Sequence, residues 1–420
     1  MPLSKTLVEL VWYQPFEPAA GAGSRWGPAR YAACVLQREG VPTWRDLGEA
    51  APIGDLVQSV RKAFGEEGSD ARPLARALDS LTMAPVRKLL GEARTILLAP
   101  DGALNLVPFG ALVDENGRYL VERYTFTYLT SGRDLLQLGE DAPSATAPVV
   151  MAAPDFDAGG GAIAETESTG HRTRSADLGS LRFGPLRGTA AEARSLEPLL
   201  AGAQVWTGAG ATEGRLKQLH APRILHIATH GFFLEDEPES LQARRELGQT
   251  QRALRTENPL LRSGLALAGA NQRQSSAEDG ILTALEASGL DLHGTQLVVL
   301  SACETGLGEV RDGEGVYGLR RALAIAGAQS QVMSLWKVDD AATRDLMVAY
   351  YRRLLRGEGR SEALRSVQLA MLRGENSLAP DMDRAAGSGG QWRHPFFWAS
   401  FISLGDWRPL TTTTKSTRMR

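Results

Sequence analysis

Two short apolar runs, each ending in a reactive residue near a glycine, most strongly constrain which fold this chain can adopt. They are Ile224-Leu225-His226-Ile227-Ala228-Thr229-His230-Gly231 and Leu297-Val298-Val299-Leu300-Ser301-Ala302-Cys303-Glu304-Thr305-Gly306. Each run has the length and composition of a buried β-strand. In an α/β sheet, ligands and chemistry gather at the carboxyl ends of the strands. If the two strands lie near each other, His230 and Cys303 meet there as base and nucleophile.

The bulk composition excludes several classes of protein. The 420 residues are too many for one ordinary core and predict two domains or one large pseudo-duplicated domain. The formal net charge of −3 gives no indication of direct nucleic-acid binding, which usually shows as a basic excess. We find no apolar stretch long enough for a transmembrane helix and no signal-peptide pattern at the start, so we expect no membrane association.

Cysteine usage favours a reducing compartment. The chain has only two cysteines, Cys34 and Cys303, whereas a secreted chain of this size that used disulfides would usually carry more. Cys34 lies in a run that predicts a buried strand, so we interpret it as an inert apolar residue. We expect a cytoplasmic location, which also keeps a catalytic thiol usable.

Strands and helices alternate along the second half of the chain. Helices are predicted at 189–201, 212–220, 281–289, 315–326, 340–356 and 361–373. Strands are predicted at 203–206, 222–229, 262–268, 296–302 and 329–336. In the first half we predict strands at 7–13, 30–37 and 43–47, helices at 52–65 and 73–92, a strand before Pro100, and a hairpin-like stretch at 118–129. This order predicts an α/β fold with a mainly parallel sheet flanked by helices.

Composition divides the chain into five segments. We predict an N-terminal strand and loop (1–29), a first half (30–153), a flexible linker (154–182), a second, catalytic half (183–408) and a disordered tail (409–420). The linker is rich in Gly, Ser and Thr and has no apolar period. A charged insertion at 234–259 is interpreted as a solvated loop, with a regulatory or self-cleaved loop as the alternative.

Two other interpretations of these motifs are weaker. His226 and His230 have zinc-helix spacing, but they lie on a predicted strand, where four residues span roughly 13 Å and cannot share one ion. The residue types of segment 313–318 match the dinucleotide-binding motif. However, the preceding predicted strand ends about ten residues earlier, which is too far for the tight strand–turn–helix that this motif requires. We therefore expect no metal and no cofactor.

The residue types at the strand ends favour thiol chemistry. A free thiol has a pKa near 8.5, so an adjacent histidine is needed to remove its proton and later protonate the leaving amine. The tetrahedral oxyanion needs preorganised donors, and the backbone amides of Gly231 and Cys303 are the candidates. A core histidine or a buried structural cysteine would be the alternative for either residue alone.

Three segments together resemble one family, the CHAT peptidases. They are 226–231, Ser301-Ala302-Cys303-Glu304-Thr305-Gly306 and Ser334-Leu335-Trp336-Lys337-Val338-Asp339-Asp340. These peptidases are bacterial caspase-like proteins, often fused to tetratricopeptide repeats and related to separases. The resemblance runs from about residue 30 to 408 and implies a caspase-type sheet, catalysis by His230 and Cys303, and a first half that resembles an inactive caspase-like domain.

The resemblance also implies a substrate pocket. In separases, which resemble this region, an Asp shortly after a Leu-Trp pair binds an arginine at the cleavage site. Asp340 matches that spacing best and Asp339 lies next to it, although either could simply cap the helix predicted from Ala341. Ser301 is a candidate for the same pocket. Ser334 and Trp336 lie on a strand, residues 332–336, to which an extended peptide could add.

We therefore predict a cysteine endopeptidase that cleaves protein substrates after Arg or Lys. The resemblance implies regulatory control in a bacterial signalling or defence pathway, through a repeat domain or a partner protein. No repeats are present in the sequence, so we expect either a short family member or the peptidase portion of a longer chain. Two alternatives stay open: a catalytically silent scaffold with the same fold, and acyl transfer through the same cysteine.

Overall fold

The computed structural model describes residues 5–18, 25–137, 142–159, 181–234, 258–272, 278–302, 309–311, 315–337, 339–375 and 391–411. Cys303 lies outside these residues. So do most of the predicted linker, most of the insertion at 234–259 and nearly all of the predicted tail.

Sixteen strands are present in the described part of the chain. In order they are β1 (Lys5–Tyr13), β2 (Arg30–Leu36), β3 (Thr43–Glu49), β4 (Thr95–Ala99), β5 (Thr125–Tyr128), β6 (Val149–Pro154), β7 (Gln204–Gly208), β8 (Ile224–Ala228), β9 (Gly231–Phe233), β10 (Ser263–Ala266), β11 (Ile281–Thr283), β12 (Leu297–Leu300), β13 (Glu309–Arg311), β14 (Gly315–Tyr317), β15 (Ser330–Ser334) and β16 (Phe401–Gly405).

Eleven α-helices lie between and after these strands in the same described residues. They are α1 (Ala50–Gly65), α2 (Arg72–Leu81), α3 (Met83–Arg87), α4 (Asp134–Gln137), α5 (Arg187–Leu196), α6 (Glu213–Lys217), α7 (Ala284–Ala287), α8 (Leu319–Ile325), α9 (Asp340–Leu355), α10 (Arg360–Arg373) and α11 (Pro395–Trp398).

The main sheet consists of two parallel blocks that run in opposite directions. Its strand order is β3-β2-β1-β4-β5-β16-β15-β12-β8-β6-β7 in the described chain. In the first block β1, β4, β5 and β16 are parallel, and in the second block β15, β12, β8, β6 and β7 are parallel. The blocks meet where β15 pairs antiparallel with β16. The carboxyl ends of the two blocks therefore open on opposite edges of the sheet.

The centre of the second block is buried on both faces. Every residue of β8, β12 and β15 is buried, which explains why these strands are continuous apolar runs rather than alternating ones. The long helix α9 buries ten of its residues, including Tyr350 and Tyr351. It packs against α5, which in turn covers β6 and β8.

Two smaller sheets extend from the second block. Strands β9, β10 and β11 form an antiparallel sheet, and β9 begins at Gly231, directly after β8 ends. Strands β13 and β14 pair as an antiparallel hairpin that precedes α8. No helix in the described residues combines the length and the hydropathy that crossing a bilayer requires.

The predicted α/β class, with its mainly parallel sheet and flanking helices, is confirmed. Several local predictions are wrong. Residues 281–283 and 315–317 are strands rather than the beginnings of helices. Residues 118–129 do not form a hairpin, since β5 pairs in parallel with β4. Strands β6 and β16 were not predicted, and β6 belongs to the second block although we assigned its residues to the first half.

Cys34 lies in β2 as predicted, but it is half-buried rather than buried. Desolvation, followed by the nearby charge of Glu9, raises the pKa of the Cys34 thiol. A raised pKa keeps the thiol protonated, which is consistent with an unreactive side chain.

Candidate active site

The carboxyl ends of β8 and β12 lie side by side. Leu300 pairs with Ile227, and the Ser301 amide donates to the Ile227 carbonyl at 2.8 Å, which extends the register beyond the end of β12. By this register Ala302 corresponds to Thr229. His230 follows Thr229, and Ala302 directly precedes Cys303, whose thiol lies outside the described residues.

His230 is held in one tautomer by its partner. Its Nε2 lies 2.8 Å from the carbonyl oxygen of Gly184. A carbonyl oxygen can only accept, so Nε2 carries the proton and donates it. In the neutral imidazole Nδ1 then holds the lone pair. The ring is half-buried, and its free basic nitrogen is Nδ1.

Two aromatic rings fix the plane of the His230 imidazole. Phe156 and Phe183 have ring centroids 5.3 Å and 5.8 Å from it. Such contacts are typical of packed aromatic pairs. They leave the imidazole little rotational freedom on those sides.

Asn271 positions the segment that carries the Gly184 carbonyl. Its side-chain amide accepts from the Phe183 amide and donates to the Phe183 carbonyl, both at 3.0 Å. The same nitrogen also donates to Asp157 at 2.9 Å. Because Phe183 directly precedes Gly184, Asn271 fixes the carbonyl that orients His230.

The backbone at Gly231 points away from its partner strand. His230 and Ala266 are opposite each other, and the His230 carbonyl accepts from the Ala266 amide at 2.9 Å. Successive residues of an antiparallel strand alternate between hydrogen-bonding to the partner and facing away from it. The Gly231 amide is therefore directed to the free edge of the small sheet, as a donor to a bound group would be.

A buried chain of polar side chains lies behind the strand ends. The Ser301 hydroxyl donates to Glu192 Oε2 at 3.0 Å, and Glu192 Oε1 lies 3.2 Å from His226 Nε2 without hydrogen-bond geometry. His226 Nδ1 in turn contacts the Tyr351 hydroxyl at 3.1 Å. Burial raises the pKa of Tyr351 well above 10, so its hydroxyl stays protonated. His226 is thus a core residue.

A small cavity of about 40 Å³ opens beside this chain. Its lining contains the carboxylates of Glu192 and Asp340 together with Ser301, Ala302 and Thr229. Glu192 is 2% exposed, whereas Asp340 is exposed. Two carboxylates with no lysine or arginine in the lining give the cavity a negative charge, which suits a basic side chain.

The two adjacent aspartates have different roles. Asp339 caps α9, since its Oδ1 accepts from the amides of Ala341 and Ala342 at 3.0 Å and 2.9 Å. Asp340 is the first helical residue and lies against Gly188 so closely that a Cβ at position 188 would overlap its carboxylate. The capping alternative therefore describes Asp339, and Asp340 lines the cavity.

Ser334 and Trp336 are engaged inside the protein. The Ser334 hydroxyl donates to the carbonyl of Ala302 and is fully buried. The Trp336 indole donates to the Phe396 carbonyl at 3.0 Å and stacks on Phe64. Their side chains therefore support the site from behind. Strand β15 is also paired on both sides, by β12 and β16, so a peptide cannot add along it as we expected.

Four residues of the site were not identified from the sequence: Gly184, Gly188, Glu192 and Asn271. Glu192 lies in α5, which begins at Arg187, and its side chain points inward to Ser301. An acidic residue at a buried position of an amphipathic helix was the available signal. Gly184 acts through its backbone, which side-chain patterns do not reveal.

Comparison with known proteins identifies the family. The family model described as CHAT domain matches residues 72–406. The chain therefore belongs to the CHAT domain family. Among curated proteins it is similar to tetratricopeptide repeat protein 28 of Mus musculus, with 26% identity over 85% of this chain, and of Homo sapiens, with 27% identity over 84%. The chain spans only 14% of the length of each of these relatives.

Solved structures give weaker similarities. The Saccharomyces cerevisiae separase–securin complex matches with a TM-score of 0.49 at 8% identity, covering 96% of this chain and 30% of that chain. The Arg-specific cysteine proteinase gingipain R matches with a TM-score of 0.41 at 10% identity, covering 85% of this chain and 68% of that chain.

Proposed function

We propose that this chain is a cysteine endopeptidase in which His230 is the base and Cys303 the nucleophile. The observation that carries the proposal is the shared register of β8 and β12, whose carboxyl ends lie side by side and are followed in the sequence by these two residues. The Gly184 contact supports catalysis because it leaves Nδ1 as the free basic nitrogen.

The reaction follows from these atoms. Nδ1 of His230 takes the proton of the Cys303 thiol, and the sulfur attacks the carbonyl carbon of the scissile peptide bond. The tetrahedral intermediate collapses when the C–N bond breaks and the imidazolium gives its proton to the leaving amine. Water, deprotonated by the same imidazole, then hydrolyses the thioester and restores the thiol.

Two backbone amides are proposed to hold the oxyanion. The Gly231 amide faces away from β10, which leaves it available for a developing negative charge. The Cys303 amide is the second donor of the proposal. Preorganised donors of this kind contribute a large part of the rate in acyl-transfer enzymes.

We propose that the substrate carries Arg or Lys at the residue before the cleaved bond. Asp340 would pair with its charge at the rim, Glu192 would add negative potential from the buried wall, and Ser301 would line the pocket between them. Asp339, Ser334 and Trp336 then act indirectly, through the α9 cap, the Ala302 carbonyl and the packing on Phe64.

Regulation through a repeat domain is also a proposal. The curated relatives are named for tetratricopeptide repeats, and this chain corresponds to a small part of their length. A larger protein of this type would couple peptide cleavage to the binding of a partner. We retain a cytoplasmic location and a bacterial signalling or defence pathway as parts of the same proposal.

The test compares two fluorogenic peptides that differ only in Arg or Asp before the cleaved bond. We expect the Arg peptide to be cleaved faster by the wild type and neither peptide to be cleaved by Cys303→Ala. Faster cleavage of the Asp peptide would contradict the basic pocket. Cleavage that persists in Cys303→Ala would contradict the nucleophile. A folded wild type without activity would favour the silent scaffold.

A further inference from the structure

A second, larger cavity lies at the opposite edge of the main sheet, where the strands of the first block end. Its volume is about 310 Å³. Tyr128 at the end of β5 and Gly405 at the end of β16 line it, together with Ser330 at the start of β15. This cavity therefore occupies the same place in the first block as the candidate active site does in the second block.

Arg320 is the buried charge of this cavity. It is 5% exposed, and its two terminal nitrogens donate to Asn105 Oδ1 and to the Leu129 carbonyl, both at 3.2 Å. Its guanidinium also lies over the Tyr128 ring, 6.0 Å from the centroid. Every one of these partners is uncharged.

No carboxylate of the described residues lies within 4.0 Å of the Arg320 nitrogens. Burial lowers the pKa of Arg320 to about 10, which still leaves the group charged at neutral pH. A buried charge without a counter-ion is costly, by several kcal/mol in order of magnitude, unless something compensates it. A bound anion would supply that compensation.

The neighbouring charges do not neutralise Arg320. The carboxylate of Asp406 is already paired with Arg360 at 2.8 Å and Arg408 at 2.9 Å. Asp134 accepts from the amide of Thr130 at 2.7 Å. Its charge raises the pKa of Arg320 without forming an ion pair. The cavity lining holds two guanidinium groups, Arg320 and Arg408, and two carboxylates, Asp134 and Asp406; of these four groups only Arg320 is buried without an ion pair.

We propose that this cavity binds a small molecule bearing a carboxylate or a phosphate group, with Arg320 as its principal ligand. The planar guanidinium matches the geometry of either group. Arg408 at the cavity mouth would be the second cation. The volume is at the lower end of the range that is usual for small-molecule sites. The proposal is independent of peptidase activity, because it concerns the other edge of the sheet.

The experiment uses the full chain and two simple probes, inorganic phosphate and acetate. Each is titrated against chloride at matched ionic strength, and the thermal unfolding temperature and the heat of binding are measured. We expect a saturable rise in the unfolding temperature of the wild type, as for any ligand that binds only the folded state. Phosphate also stabilises proteins nonspecifically, so matched variants are needed.

Arg320→Met is the test variant and Arg321→Met the control. Both arginines lie on α8, but only Arg320 lines the cavity. We expect Arg320→Met to weaken binding of the effective probe by at least about tenfold, the size of a lost charge-assisted hydrogen bond, and Arg321→Met to leave it unchanged. If Arg320→Met does not fold, Arg408→Gln carries the comparison. Its control is Arg352→Gln, because Arg352 lies in α9 and does not line the cavity.

A response to phosphate alone would indicate a ligand with a phosphate group. A response to acetate alone would indicate a ligand with a carboxylate group. Either outcome supports the proposed site. An equal response in the wild type and Arg320→Met would overturn the proposal. So would a wild type whose response to both probes matches that to chloride.

Discussion

The two edges of the main sheet share one geometry but bury charged side chains of opposite sign. Where β8 and β12 end, the lining of the small cavity holds the carboxylates of Glu192 and Asp340. Where β5 and β16 end, the larger cavity is dominated by Arg320. Both sites arise because parallel strands bring their carboxyl ends together. The backbone therefore provides the place, and the charges of a few side chains decide which ligand suits it.

The largest effect is expected at the acidic edge, from His230→Ala. We predict a loss of about 10³-fold in kcat/KM on an Arg peptide, within the range for a general base. His220→Ala is the control, since His220 is exposed and contacts Asp291 far from β8's carboxyl end. Steady-state kinetics provide the measurement. A loss below about tenfold in His230→Ala would mean that another group acts as the base.

Asp340→Asn and Asp339→Asn form a matched pair of variants that tests the charge of Asp340. Removing the Asp340 charge should lower kcat/KM on the Arg peptide by about 10- to 100-fold, the contribution of a hydrogen bond to a charged group. Asp339→Asn keeps the α9 cap, because Asn caps helices about as well as Asp. We expect it to change kcat/KM less than about twofold. Equal losses in the two variants would show that Asp340 acts only through the helix.

Gly188→Ala tests how closely α5 and α9 approach. A Cβ at this position would overlap the Asp340 side chain and displace it. We predict a decrease of about tenfold in kcat/KM on the Arg peptide and about 1 kcal/mol of lost stability, as for other overpacked sites. Gly54→Ala in α1 meets open space and should instead stabilise by about 0.5–1 kcal/mol. Kinetics and urea unfolding of both variants distinguish these outcomes.

Asn271→Ala examines the contact that orients His230. Loss of both bonds to Phe183 should free the Gly184 carbonyl and lower kcat by about three- to tenfold, with little change in KM. A purely structural role would lower stability and leave kcat unchanged, so kcat and urea unfolding measured on the same variant decide between the two roles.

The smallest effect is expected from the pH dependence of stability, through the buried carboxyl of Glu213 in α6. Burial raises the pKa of Glu213 to about 7, against 4.5 in an unfolded chain. The folded state therefore binds more protons between these values, and stability should fall as pH rises from about 4.5 to 7, by at most about 3 kcal/mol. Arg320 stays charged throughout this window.

Urea unfolding at pH 5 and pH 8 checks this expectation. Glu213→Gln should flatten the dependence, since Gln does not titrate. An unchanged slope in that variant would assign the dependence to other groups.

Much of this fold could be predicted from the sequence, because its central strands have a clear apolar pattern. The runs that form β8 and β12 are apolar, short and bounded by polar residues, so strand identity and burial followed directly. Strands β6 and β16 were missed for different reasons. The run that ends at Pro154 borders a low-complexity segment. Strand β16 begins only three residues after the end of α11, with no glycine or proline between them.

The site could be predicted only in part. His230 was identified because it ends an apolar run and is followed by glycine. Glu192 was missed because its one local signal, an acidic residue at a buried position of α5, does not reveal that this position meets Ser301. Arg320 was missed for the same reason: within the sequence it is an ordinary helical arginine, and only the meeting of β5, β16 and α8 makes it a buried charge.

The most direct test of the central claim uses the two cysteines of this chain as each other's control. A peptide electrophile with Arg at its recognition position is incubated with the protein, and labelling of Cys303 and Cys34 is followed by mass spectrometry. We predict rapid labelling of Cys303 that drops by at least about 100-fold in His230→Ala, while Cys34 labels slowly and equally in both. Labelling of Cys303 that does not depend on His230 would contradict the account.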